Sequence, residues 1–139
     1  HQDNYYFCLQ PNTSITLWLA LDQVNEENGC LRYLPGSHRL GLREHDASNV
    51  LGFSQGIEQY GEDEIVREVE VCCQPGDLVV HHGEMIHRAD ANRTVDRHRR
   101  AFAVVYYTRS AIRDEQAYQA YQQRLEKQHL AMGLKEVDA

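Results

Sequence analysis

The residues with the clearest metal-ligating chemistry stand at the start of the chain, in the tripeptide His1-Gln2-Asp3. On an extended backbone the side chains at positions i and i+2 point the same way, so His1 and Asp3 can reach one ion. His87, far along the chain on a predicted strand, supplies a third candidate ligand. Two imidazoles and one carboxylate form the facial triad that binds non-haem Fe(II) and leaves positions open for oxygen and an organic co-substrate. The pattern therefore predicts an open, catalytic metal site.

Short β-type segments separated by turn residues are expected to position these ligands. Their alternating or continuous apolar residues predict strands. The Gln74–Asp77 turn between two of them predicts a hairpin. Many short strands in one chain of this size favour a mainly β fold, either a sandwich or a jelly-roll barrel. The predicted strands are Tyr5–Cys8, Ser14–Leu21, Gly29–Leu34, Ile65–Cys72, Leu78–His81, Glu84–Ala89 and Arg99–Thr108.

Two parts of the chain depart from this strand pattern. From Ser37 to about Gly61 the composition shows no period, which predicts a long functional excursion, a lid or rim. Apolar residues at helical spacing predict one amphipathic helix from Ile112 to Met132, with Gly133 as its stop. We therefore divide the chain into a jelly-roll metal-binding core at residues 1–110 and a C-terminal helix and tail at residues 111–139.

Composition excludes several functional classes. Apolar residues make up 42% of the chain and charged residues 25%, as in an ordinary folded domain. The net charge of −7 and the lack of a sustained basic block argue against nucleic acid as a partner. No run is long and apolar enough for a membrane span, and no leader is visible. Four cysteines without CxxC spacing predict free thiols and a reducing, cytoplasmic setting.

Successive motifs resemble the phytanoyl-CoA dioxygenase family, in order and in spacing. The first holds the candidate ligands His1 and Asp3, and a later one holds His87. The resemblance covers residues 1 to about 108. The motifs are His1-Gln2-Asp3-Asn4-Tyr5-Tyr6, Leu17-Trp18-Leu19-Ala20-Leu21-Asp22, Glu27-Asn28-Gly29-Cys30-Leu31-Arg32-Tyr33-Leu34-Pro35-Gly36-Ser37-His38, Pro75-Gly76-Asp77-Leu78-Val79-Val80, His87 with Asn92, and Arg99-Arg100-Ala101.

The resemblance implies a double-stranded β-helix, a cupin-like jelly-roll barrel, that uses Fe(II), 2-oxoglutarate and O2. Such an enzyme hydroxylates a small organic molecule and releases succinate and CO2. The iron ligands carry over to His1, Asp3 and His87. The arginine that binds the distal carboxylate of 2-oxoglutarate carries over to Arg99, and a position lining the co-substrate pocket carries over to Trp18.

Some assignments have alternatives. The loop after His87 is one residue longer than in some members of the family, so Arg97 or Arg100 competes with Arg99. Trp18 is equally consistent with a core tryptophan. A cupin-like metal-dependent isomerase, or a non-catalytic jelly roll that binds a metal or ligand, would share the barrel but would not need the arginine.

The other histidines are assigned less specific roles. His81 and His82 are expected to support the metal ligands without binding the metal, or to be structural, and His38 is expected to order the turn after Pro35-Gly36. His45, His98 and His129 lie in polar sequence and are expected to be exposed.

The chain begins at the first predicted ligand, whereas members of the family are longer. We therefore expect an N-terminal part of the domain to be absent and the fragment by itself to be inactive. A barrel that lacks a strand exposes an unpaired edge, so we also predict a homo-oligomer, formed by edge pairing or by exchange of the C-terminal helix.

Overall fold

The computed structural model describes residues 1–50 and 53–131, without the side chains of residues 47–50, 53–55, 129 and 131. The strands are β1 Leu9–Gln10, β2 Ile15–Ala20, β3 Leu31–Tyr33, β4 His45–Val50, β5 Phe53–Ile57, β6 Val69–Val71, β7 Leu78–His82, β8 His87–Ala89, β9 Ala101–Tyr106 and β10 Ile112–Arg113. The helices are α1 Asp3–Phe7, α2 Glu62–Ile65 and α3 Glu115–Ala131, with a short 3-10 helix at Ser37–Arg39. Strands dominate and a helix ends the described chain, as predicted.

Two three-stranded antiparallel sheets form the centre of the fold. One has the order β7-β2-β9 and the other the order β6-β3-β8. β2 is central because its run of Ile, Thr, Leu and Trp suits a strand with neighbours on both edges. The smaller pairs β4-β5 and β1-β10 lie outside these sheets. The predicted hairpin between Ile65–Cys72 and Leu78–His81 is wrong, because β6 pairs with β3 and β7 pairs with β2.

The register defines which side chains face the interior between the sheets. In β2, Thr16 and Ala20 are buried, and Trp18 packs against the buried core. That core consists of Ala20, Val24, Cys30 and Cys73. Because paired residues in antiparallel strands point to the same side, the partners of these β2 positions in β7 and β9 face inward as well.

Two predicted strand ends are helical in the structure. Residues Tyr5 to Phe7 belong to helix α1, which ends at Cys8 with φ of 51°. A short apolar run does not distinguish a strand from a helical turn, which explains the error. The predicted strand Ile65–Cys72 is shortened to β6, because α2 precedes it and the Glu64 carboxylate accepts a hydrogen bond from Gly61 N at its start.

The C-terminal helix begins at Glu115 rather than at Ile112. The Asp114 carboxylate accepts a hydrogen bond from Ala117 N at 3.0 Å, which caps the first turn. Ile112 and Arg113 instead pair with β1 as strand β10. Tyr121 of α3 packs on Tyr6 of α1, with ring centroids 5.7 Å apart. The predicted helix end at Met132 and the stop at Gly133 lie outside the described residues.

The predicted excursion after Ser37 contains regular structure. Besides the 3-10 helix, β4 and β5 pair as an antiparallel hairpin, and α2 follows. Within residues 1–50 and 53–131, none of the helices combines the length and the apolar character that crossing a membrane requires.

Candidate metal centre

The three predicted ligands meet in space. One ligand atom each from His1, Asp3 and His87 lies within 4.8 Å of the other two. His1 Nε2 is 3.3 Å from Asp3 Oδ1, and His87 Nε2 is 3.6 Å from the same oxygen. Asp3 is the first residue of α1 and His87 is the first residue of β8. The site therefore joins the start of a short helix to the start of a strand.

Backbone hydrogen bonds hold the two histidines side by side. His1 N donates to His87 O at 2.8 Å, and His87 N donates to His1 O at 3.0 Å. This reciprocal pair is the pattern of a hydrogen-bonded antiparallel pair, and it brings the two imidazole centroids to 4.2 Å. His1 is thus tied to β8 through its own backbone.

The two oxygens of Asp3 have different surroundings. Oδ1 faces His1 and His87, whereas Oδ2 accepts hydrogen bonds from Thr16 Oγ1 and, at 3.2 Å, from His81 Nε2. Burial alone would raise the pKa of this carboxyl, but the hydrogen bonds and the nearby imidazoles outweigh burial and hold it well below its ordinary value. Asp3 is therefore a carboxylate, the form that binds metal.

His87 presents its Nε2 lone pair to the site. Its Nδ1 lies 2.9 Å from Met85 O, and because a carbonyl only accepts, Nδ1 carries the proton. Burial, reinforced by His1, lowers the pKa of His87 to about 3. The ring is therefore neutral at ordinary pH, and a carbonyl fixes its tautomer, as is common for metal-binding histidines.

The donor set fits a divalent first-row metal ion. Neutral imidazole and carboxylate suit Fe(II) and its surrogates. An octahedral ion about 2.1 Å from each ligand places neighbouring ligand atoms roughly 3.0 Å apart. The 3.3 Å and 3.6 Å separations around Asp3 Oδ1 are near that value, and all three ligand atoms lie within 4.8 Å of one another.

Gln2, between two ligands, has a structural role that the sequence analysis missed. It is completely buried. Its Nε2 donates to Gly41 O at 2.9 Å and to Glu84 O at 2.8 Å, and its Oε1 accepts from Arg43 N at 2.8 Å. The amide thus fastens the ligand segment to two loops. No period or spacing signals this role.

His45 was predicted to be exposed, and that prediction is wrong. Only 3% of its surface is exposed. Its Nε2 accepts a hydrogen bond from Gln2 N at 3.0 Å, its Nδ1 lies 2.8 Å from Arg43 O, and its ring stacks on Tyr5 at 4.0 Å. Burial lowers the pKa of His45 to about 4. His45 is therefore a buried, neutral support of the ligand segment.

The remaining histidines follow the sequence analysis more closely. His81 is buried and hydrogen-bonded to Asp3, in agreement with a supporting role. His82 points the other way, and its Nδ1 accepts a hydrogen bond from Glu84 N. His38 lies in the 3-10 helix after Gly36, and His98 is exposed. The side chain of His129 is outside the described part of the chain.

The three candidate arginines differ in their surroundings. Arg97 donates to Asn25 Oδ1 at 2.7 Å, and Arg100 makes two hydrogen bonds to the Asp22 carboxylate. Arg99 is half-buried and makes no ion pair with another described residue.

The strand register adds a direction. β9 begins at Ala101, which pairs with the buried Ala20; if its alternation continued back to residue 99, Arg99 would face the interior and Arg100 the exterior.

Trp18 and Arg99 lie apart from the small cavity beside the ligands. Trp18 faces inward and packs against the core around Ala20. A cavity of about 170 Å³ lies against His1 and His87, with its other walls formed by Ile57, Tyr60, Glu68, Ile86 and Arg88. The structure therefore brings the predicted ligands together, whereas neither Trp18 nor Arg99 lines this cavity.

Sequence comparison identifies relatives of this chain. A family model described as phytanoyl-CoA dioxygenase (PhyH) matches residues 1–101. Phytanoyl-CoA dioxygenase 1 of Oryza sativa subsp. japonica is 37% identical over 108 residues, covering 76% of this chain and 37% of that protein. The peroxisomal phytanoyl-CoA dioxygenase of Homo sapiens is 34% identical over 99 residues, covering 68% of this chain and 29% of that protein. The chain spans about a third of the length of these relatives.

Comparison with solved structures supports the predicted fold. The epimerase SnoN, solved with Fe3+, alpha ketoglutarate and nogalamycin RO, is 32% identical with a TM-score of 0.61, covering 80% of this chain and 42% of that chain. EvdO2 from Micromonospora carbonacea var. aurantiaca, solved with 2-oxoglutarate, is 28% identical with a TM-score of 0.65, covering 81% of this chain and 45% of that chain. The predicted cupin-like jelly roll is confirmed.

Two histidines and one aspartate gathered on a jelly roll are the donor set of non-haem iron sites, and two of the solved structures that this chain resembles contain 2-oxoglutarate or alpha ketoglutarate. The chain belongs to the phytanoyl-CoA dioxygenase family. The resemblance inferred from the motifs is thereby confirmed.

Proposed function

We propose that this chain forms the metal-binding part of an Fe(II)- and 2-oxoglutarate-dependent oxygenase that hydroxylates a small organic molecule. The observation that carries the proposal is the convergence of His1, Asp3 and His87, which lie at distant positions in sequence but within one ligand sphere. Two imidazoles and one carboxylate occupy only three coordination positions of the metal. The remaining positions stay open, which suits catalysis better than structural metal binding.

Each residue has a separate task in the proposal. His1, Asp3 and His87 hold the iron, and Arg99 binds the distal carboxylate of 2-oxoglutarate, because a guanidinium offers that group two parallel hydrogen bonds. Trp18 lines the inner wall along which the co-substrate lies. When bound, iron and 2-oxoglutarate supply the oxidising power, so that O2 is consumed and succinate and CO2 are released.

The outcome of the oxidation is less constrained than the metal site. SnoN, a relative in structure, is named an epimerase, so the same machinery serves more than one outcome within the class. We favour hydroxylation over a cupin-like metal-dependent isomerase or a non-catalytic module, because the chain belongs to a family of dioxygenases and because Arg99, which has no ion-pair partner among the described residues, is available to a dicarboxylate co-substrate. A cytoplasmic location stays a prediction.

Anaerobic titration with Mn(II) or Fe(II), followed by 2-oxoglutarate, tests the proposal. We expect one metal ion per chain, 2-oxoglutarate binding only after the metal, and succinate formation when O2 is admitted. Asp3→Ala and His87→Ala should lose metal binding, whereas His98→Ala, which changes an exposed histidine, should not. A parent chain that binds no divalent metal would refute the proposal. Metal binding without 2-oxoglutarate binding would favour the isomerase or the non-catalytic module.

We also propose that the chain self-associates through the sheet β7-β2-β9. The outer face of this sheet is apolar and open: Leu78, Val80, Phe102 and Tyr106 are each more than half exposed. Among the described strands, β9 has a neighbour on one edge only. Contiguous exposed apolar side chains beside an open strand edge are typical of a contact surface.

A further inference from the structure

The oxygen of Asp3 that faces away from the ligand sphere is held by a buried polar chain. His81 Nε2 lies 3.2 Å from Asp3 Oδ2, and His81 Nδ1 lies 2.9 Å from the hydroxyl of Tyr33. Tyr33 and His81 are both buried, with 8% and 7% of their surfaces exposed. A histidine and a tyrosine therefore stand behind the aspartate, where metal binding itself requires neither.

The strand register fixes both side chains toward the interior. His81 of β7 pairs with Thr16 of β2, and Thr16 also donates to Asp3 Oδ2. Tyr33 of β3 pairs with His87 of β8, and the two rings are stacked with centroids 5.7 Å apart. The hydrogen bond between Tyr33 and His81 thus joins one sheet to the other, directly behind the metal site.

The Asp3 carboxylate, at one end of this chain of hydrogen bonds, determines which atom donates in each of them. An ionised carboxylate only accepts, so His81 Nε2 must carry a proton to bond with Asp3. In a neutral ring Nδ1 is then an acceptor, and the Tyr33 hydroxyl donates to it. The carboxylate of Asp3 therefore selects the tautomer of His81, and the Tyr33 hydroxyl, which can donate or accept, holds the other side of the ring by donating to Nδ1.

We propose that His81, oriented by Tyr33, is a positioning residue that keeps Asp3 bound to the metal through Oδ1 alone. The inference rests on the metal site of the proposed function and extends it. Oδ2 is occupied by two donors, Thr16 and His81, so turning this oxygen to the metal would break two buried hydrogen bonds.

One-oxygen binding matters because the number of coordination positions is limited. Three protein ligands on a six-coordinate ion leave three positions, enough for a two-point co-substrate and O2. If both oxygens of Asp3 bound the metal, one of these positions would be lost. The Tyr33 and His81 pair would thus keep the site open.

Substitutions at position 81 that keep different hydrogen bonds of His81 test the proposal. Gln places an amide N–H near the position of Nε2 and keeps the bond to Asp3. Asn places its amide near Nδ1 and reaches only Tyr33, and Leu removes both bonds. We expect metal affinity, measured by Mn(II) titration, to fall about 10- to 100-fold in His81→Leu and His81→Asn, the usual cost of losing a group that orients a ligand. His81→Gln should stay within about threefold of the parent.

The visible spectrum of the Co(II)-loaded protein gives a readout that a purely structural role would not change. The visible bands of Co(II) depend on its ligand set and geometry, so replacement of a bound water by the second Asp3 oxygen in His81→Leu should shift the bands, and His81→Gln should keep the bands of the parent. Tyr33→Phe should shift the spectrum in the same direction as His81→Leu. His82→Gln, on the outer side of the same strand, is the matched control and should leave both affinity and spectrum unchanged.

Two failures are distinguishable. If the parent binds Mn(II) and Co(II) but His81→Leu matches it in affinity and spectrum, the positioning role is overturned and the proposed function stands. Equal losses in His81→Gln and His81→Leu would also overturn it, because the restored hydrogen bond would then have no effect. A parent that binds neither ion would overturn the proposed function together with this inference.

Discussion

Replacement of Arg99 by Ala tests the co-substrate site most directly, because the chain supplies its own controls. Arg97, Arg99 and Arg100 lie within four consecutive positions, and all three carry the same charge. Only Arg99 has no ion-pair partner among the described residues, whereas Arg97 pairs with Glu27 and Arg100 pairs with Asp22. Equal losses of 2-oxoglutarate affinity in the three Ala variants would indicate a general effect of charge. A loss in Arg99→Ala alone would indicate direct contact between Arg99 and 2-oxoglutarate.

The expected loss of 2-oxoglutarate affinity in Arg99→Ala follows from the hydrogen bonds that Arg99 would make to the distal carboxylate. Two hydrogen bonds between a guanidinium and a carboxylate contribute about 1.5 kcal/mol each at the low end, which suits a half-buried position. Their loss, about 3 kcal/mol, weakens 2-oxoglutarate binding roughly 140-fold, since every 1.4 kcal/mol is tenfold. Metal affinity should change little, because the ligand sphere consists of His1, Asp3 and His87.

Isothermal titration of the Mn(II)-loaded chain with 2-oxoglutarate, without O2, measures this effect. We expect Arg97→Ala and Arg100→Ala to stay within about threefold of the parent, because these two guanidinium groups are already bonded to Asn25 and to Asp22 and do not serve the co-substrate. An Arg99→Ala variant that binds 2-oxoglutarate as tightly as the parent would refute the assignment. A larger loss in Arg97→Ala or Arg100→Ala would transfer the role to that arginine.

Three further predictions concern stability and assembly. Gly83→Ala should destabilise the chain by more than about 2 kcal/mol in urea unfolding, because a Cβ there would lie 2.0 Å from Ser14 Oγ and 2.5 Å from Asn4 Oδ1, and a wild-type midpoint would contradict this. His45, with its pKa lowered to about 4, stabilises the fold above about pH 6.5, and this contribution is lost as the pH falls toward 4. In the metal-free protein, the free energy of unfolding of His45→Gln should therefore depend less on pH between these values. An unchanged slope would contradict the reasoning. Phe102→Lys should shift the chain toward monomer in light scattering, and an unchanged mass would exclude the sheet face as the contact.

The metal ligands could be predicted from sequence because their chemistry is carried by residue type. His1 and Asp3 stand in one tripeptide, and His87 is recognisable by its place in a family motif. The strands β2 and β7 were also predictable, since their apolar and β-branched composition leaves no competing structure.

The pairing of strands was not predictable. Alternation of apolar and polar residues shows which face of a strand is buried, but it does not show which strand lies beside it. β6 and β7 are adjacent in sequence and separated only by a turn, yet they belong to different sheets. Helix α1 was missed for a related reason. Five residues form too short an element to show a helical period, and Asp3 and Tyr5 were consistent with an extended segment.

The residues that support the ligands were the hardest to predict, and the reason is physical. Gln2, Asn4 and Ser14 are buried almost completely, although polar side chains usually remain exposed. Gln2 donates to Gly41 O, and Ser14 donates to Asn4 Oδ1, so these buried side chains bond to partners that lie elsewhere in the sequence. Composition cannot reveal such a partner.

The same polar network explains how a short segment can hold a metal site. Apolar packing tolerates small displacements, whereas a buried hydrogen bond that is broken costs about 1 to 3 kcal/mol, so a connected network favours one arrangement. Gln2 and His45 fix the backbone between the ligands, and His81 fixes the far oxygen of Asp3. None of these hydrogen bonds uses Asp3 Oδ1, His1 Nε2 or His87 Nε2, the atoms that face one another at the site, so all of them are compatible with a bound ion.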